Sequence, residues 1–121
     1  MSSTISTTVD PRVAALERQL QETEIGRDVL RLLDRLSEAR IVEQLISIGL
    51  DSAERCERSV SERLRGAEGR QTGESIAEAE ALRVALLDAE TESRRWRRAL
   101  VDRRSQREHV EAELQLAARG L

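Results

Sequence analysis

Residues 25–50 read IGRDVLRLLDRLSEARIVEQLISIGL, the most apolar run of the chain. Ile25, Val29, Leu32, Leu36, Ala39, Ile46 and Leu50 recur at alternating steps of three and four, with Glu43 the one polar member. That spacing lays a single stripe along an α-helix. Leu30, Leu33, Ile41, Leu45 and Ile48 lie off the stripe, and Val42 sits among them. Between 41 and 48 the helix is therefore apolar almost all round, and such a helix is normally buried on more than one side. A partner helix from the same short chain covers one side only. The expectation is that Leu30, Leu33, Ile41, Val42, Leu45 and Ile48 form an interface with another chain.

The whole composition suits helix association. At 121 residues the chain is at most one ordinary domain. Charged residues make up 36% and apolar ones 39%, the balance of a helical coiled coil. Phe and Tyr are absent and there is one Trp, so the core must be Leu, Val, Ile and Ala, the residues of helix seams. All 20 basic residues are Arg. Lys, Asn, Phe and Tyr are all missing, and their codons begin with two A or T bases, which points to a GC-rich genome before any selection of Arg for bidentate contacts.

Several function classes are disfavoured at this level. A net charge of −3 recommends neither nucleic acid nor an anionic membrane as partner. No run of 18 apolar residues exists, so no transmembrane span is expected. MSSTISTTVD lacks the basic and apolar regions of a signal peptide. The lone Cys56 cannot form an internal disulfide, which suits a reducing compartment. The expected location is the cytoplasm, or a particle assembled there.

Taken in order, residues 1–10 form a Ser/Thr-rich tail expected to be flexible. Asp10-Pro11 is a helix start, because Asp caps well and the first helical position tolerates Pro. Val13, Leu16 and Leu20 open an apolar face that shifts phase near 22. Gly49 resembles a stop signal, yet Leu50, Ala53, Glu57, Val60 and Leu64 continue the same phase beyond it. The prediction is one long helix over 11–65, bent at 49–51 or, alternatively, broken there with Asp51 or Ser52 as a cap. GAEGRQTG, residues 66–73, is the predicted turn, with Thr72 or Ser75 capping a second long helix. In 74–121, Ala79, Leu82, Leu86, Ala89, Ser93, Trp96, Leu100, Arg103, Arg107, Val110, Leu114, Ala117 and Leu121 keep the three-four alternation. The expected fold is all-α: an antiparallel helical hairpin or coiled coil, completed by oligomerisation or within a larger assembly.

The strongest local feature is SRRWRRALVDRRSQR, residues 93–107. Arg binds phosphate and Trp stacks on bases. But on the seam count Arg103 and Arg107 lie in the seam, Arg97 and Arg104 flank it, and Arg94, Arg95 and Arg98 lie outside. A groove-reading helix would concentrate them on one face. Residues 74–92 carry six acids against Arg83, so the helix runs from acidic to basic and complements an antiparallel copy. Protein carboxylates are thus the expected targets, with nucleic acid the alternative. A hairpin turning at 66–73 would set 94–107 opposite roughly 32–45, where Asp34, Glu38 and Glu43 lie. Trp96 is expected to anchor the seam.

His109 and Cys56 are the only residues of their kinds, so no Cys/His metal cluster and no catalytic or cofactor-binding set is expected. GAEGRQTG follows no strand and lacks the Gly-Lys of a phosphate loop. In shape and composition, short Arg/Glu-rich hairpins of this kind resemble type III export stalk proteins and small phage assembly or scaffold proteins. With the apolar run of 25–50, the expectation is a non-enzymatic structural or assembly role, as a scaffold, virion or secretion-apparatus type component, partnering protein, as a homo-oligomer. The resemblance assigns no individual residue.

Overall fold

The computed structural model describes residues 10–70 and 72–121. Three helices follow one another: α1 (Pro11–Gln21), α2 (Glu24–Gly69) and α3 (Gly73–Ala118). There is no strand among the described residues. The two long helices pack against each other through their apolar seams. Apart from Asp10, the Ser/Thr-rich tail lies outside the described residues.

The expected single helix over 11–65 is interrupted at Glu22 and Thr23. α1 begins where Asp10 accepts a hydrogen bond from the Arg12 N–H at 2.9 Å, and it buries no residue of its own. Thr23 starts the next helix: its hydroxyl accepts from the Gly26 N–H at 2.9 Å. Arg27 donates to the Gln21 carbonyl at 3.0 Å. Gly26 is what lets the two helix ends meet, since a Cβ there would collide with the Leu20 carbonyl. The phase shift near 22 is the trace of this break in the sequence.

By contacts the chain forms two compact units, one of residues up to Arg40 with Gln106–Leu121, the other of Ile41–Ser105. In the first, Leu32, Leu36 and Val110 are buried, with Leu114 and Ala117 packed on them. The second unit is a helical hairpin. Near its turn Leu64, Ala67, Ala79 and Leu82 are buried, with Val60 and Leu86 against them. Fully burying a side chain such as Leu82 is worth about 1.5–3 kcal/mol.

The turn is shorter than the glycine-rich stretch predicts. α2 continues through Gly66 to Gly69, leaving residues 70–72 as the connection. Ala67, 1% exposed, explains this: it belongs to the core cluster and holds the last helical turn. Arg70 then donates to the Gly66 carbonyl at 3.2 Å. Ser75 and Thr72 cap α3 reciprocally. The Thr72 N–H donates to Ser75 Oγ at 2.9 Å, and the Ser75 N–H donates to Thr72 Oγ1 at 3.2 Å. Ser75 Oγ also donates to the Arg70 carbonyl at 2.5 Å, closing the turn.

Candidate association surface

α2 runs through Gly49 without interruption. The reason lies across the hairpin. A Cβ on residue 49 would stand 2.5 Å from the Trp96 ring, so the indole occupies the space that any other side chain would need. Gly49 is here a seat for Trp96, not a stop signal. The helix accepts a propensity cost of about 1 kcal/mol for it.

The seam of the second unit is polar in its middle. Glu43 fills a seam position, its side chain 18% exposed, and it meets Arg104 at 3.6 Å. Glu57 Oε1 and Ser93 Oγ are both buried with no hydrogen-bond partner, and Ser93 is 0% exposed. Several large apolar side chains of this unit lie outside the seam. Ile41, Leu45 and Ile48 are 56%, 60% and 56% exposed. Val42, the fourth expected interface residue of this unit, is half-buried. On α3, Val84, Leu87 and Val101 are also exposed; they are off-seam and were visible in the sequence by that criterion alone. In the first unit Leu30 is half-buried and Leu33 is exposed.

The Arg cluster is laced with carboxylates. Within the second unit Arg97 reaches Glu54 at 3.0 Å and Arg104 reaches Glu43 at 3.6 Å, both across to α2. Arg94 pairs with Glu90 at 3.6 Å and Arg95 with Glu92 at 3.7 Å along α3. Arg94, Arg95 and Arg98 line a shallow groove with Thr91. The acids met across the hairpin are thus Glu43 and Glu54, and the expected register against 32–45 is corrected. Residues 97–104 face 43–54, displaced by about one heptad. Sliding one helix by a heptad keeps seam opposite seam, so the apolar pattern alone does not distinguish the two registers. Glu54 was missed for this reason.

The two seam arginines differ. Arg103 is exposed. Arg107, in the first unit, is half-buried and donates to Glu111 at 2.9 Å on its own helix. Arg40 approaches the same carboxylate at 3.6 Å. The Arg107 hydrogen bond, then the positive charges of Arg107 and Arg40, hold the Glu111 carboxyl below the usual carboxylate range, against an opposing effect of desolvation.

Among the described residues no group of three His, Cys, Asp or Glu could hold a metal ion, and no helix is long and apolar enough to cross a membrane. Cys56 is exposed, and His109 meets Glu113 at 2.7 Å on α3. No protein-family model matches the chain, and neither curated proteins nor solved structures give a significant match.

Proposed function

We propose that the chain is a non-enzymatic structural or assembly protein that works by helix–helix association, as part of an oligomer or a larger particle of scaffold, virion or secretion-apparatus type. One observation carries this: Ile41, Leu45 and Ile48 stand exposed on α2, off the seam to which Glu43 belongs. Three large aliphatic side chains at helical spacing form the kind of surface that partners cover. The ion pairs of Arg94, Arg95, Arg97 and Arg104 favour protein over nucleic acid, because those guanidinium groups already face carboxylates. A cytoplasmic site of assembly goes with this proposal.

Light scattering coupled to size exclusion tests it. An assembly protein gives a mass above that of one chain, and Ile41→Glu with Ile48→Glu lowers it. A DNA and RNA titration over several salt concentrations tests the alternative. Tight, salt-steep binding weakened by Arg94→Ala and Arg98→Ala would replace this proposal with a nucleic-acid function.

A further inference from the structure

We propose that the partner of the exposed α2 row is the same row of a second copy, antiparallel, with the two Leu45 side chains meeting at a twofold axis. This rests on the association function proposed above. Along α2, Asp34, Glu38, Ile41, Leu45, Ile48, Ser52 and Arg55 recur at alternating steps of four and three, and each is exposed. That spacing is a second row on one helix, distinct from the seam that faces α3. Its order is acidic, apolar, then basic.

Reversing the row on itself about Leu45 makes it self-complementary. Ile41 of one copy meets Ile48 of the other, Glu38 meets Ser52, and Asp34 meets Arg55. Further out on the same spacing Arg31 meets Ser59, and beyond them Arg27 meets Glu62 as opposite charges, all four exposed. A twofold interface requires this self-complementarity: whatever residue i meets, that residue's copy meets i. A parallel pairing would set Asp34 on Asp34 and Arg55 on Arg55, which is unfavourable. A partner of unrelated sequence would impose no such symmetry on the row. Arg55 has the reach: its Nε lies 3.4 Å from the Asp51 carbonyl, which leaves the end of the guanidinium for a carboxylate on another chain.

Cysteine cross-linking of the full chain in a Cys56→Ser background tests the geometry. Leu45→Cys should yield a disulfide-linked dimer on mild oxidation, because the twofold places the two residues face to face. Ile41→Cys alone should yield little, whereas Ile41→Cys mixed with Ile48→Cys should cross-link readily. Arg55→Asp should lower the dimer fraction in light scattering, and Asp34→Arg added to it should restore the dimer. Far-UV circular dichroism of these surface variants should match the parent. If the parent is oligomeric but Leu45→Cys does not cross-link, this pairing is wrong and the association function stands. Cross-linking of Ile41→Cys alone as fast as Leu45→Cys means a parallel pairing and overturns it too. A parent that is monomeric at every concentration rules out both this pairing and self-association.

Discussion

The two units solve the same seam problem with different residues. In the first, the seam positions Leu32, Leu36 and Val110 are aliphatic and buried, and charges such as Arg35 and Glu113 sit at the rim. In the middle of the second, the polar residues Glu43, Glu57 and Ser93 interrupt a seam of half-buried Ile46, Leu50 and Leu100, Trp96 sits on Gly49, and Ile41, Leu45 and Ile48 face outward. Apolar residues inside and charges outside stabilise one chain. Exposed aliphatic side chains off that seam leave burial to be completed elsewhere. One helix can therefore carry a seam for its own chain and a second face with another use.

Removing one side chain from each region tests this contrast most severely. Leu36→Ala should cost about 2–5 kcal/mol in urea unfolding, the range for a buried leucine. Leu45→Ala should cost within about 0.5 kcal/mol in the isolated chain, since an exposed side chain leaves no cavity. Similar losses at both sites, at a concentration where light scattering shows a single chain, would mean that Leu45 is covered within its own chain.

Gly49 probes the second unit next. Gly49→Val should destabilise by about 1–3 kcal/mol, because the new side chain and the indole compete for one space. Adding Trp96→Leu should recover most of that loss. No recovery would show that the helix itself, rather than Trp96, requires glycine.

A smaller effect, in the first unit, depends on pH. Because the folded pKa of Glu111 is lowered, its contribution to stability is present above the ordinary carboxylate pKa. It is lost as pH falls through the lower, folded value. Glu111→Gln should therefore be less stable than the parent at neutral pH, with the gap closing as pH falls below the ordinary carboxylate range. Thermal melts of both proteins across acid pH measure it. The smallest effect should be Arg94→Ala, within about 0.5 kcal/mol in urea unfolding, as exposed ion pairs contribute little.

Much of the seam was legible in the sequence, because a three-four alternation of Leu, Val and Ala has one helical meaning. Val29, Leu32, Leu36, Ala79, Leu82 and Val110 are seam positions by spacing, and all are buried. The exposure of Ile41, Leu45 and Ile48 could be read the same way, as residues off the stripe. The break at Glu22–Thr23 left only a phase shift near 22 in the periodicity; Gln21, Glu22 and Glu24 are all compatible with helix, and the cap on Thr23 with a bare Cα at Gly26 is what makes the shift a break. The register of the hairpin was not legible. It is decided by which large residue fits which small one, as Trp96 does on Gly49, and a repeating pattern contains no such pairing information.

That same contact makes the protein its own optical gauge. With no Tyr and a single Trp, all intrinsic emission comes from one indole resting on residue 49. Its colour and quenching therefore track the hairpin of the second unit alone, while the amide signal averages over every helix. Recorded together during unfolding, the two separate the opening of that hairpin from the melting of the rest, with no label attached.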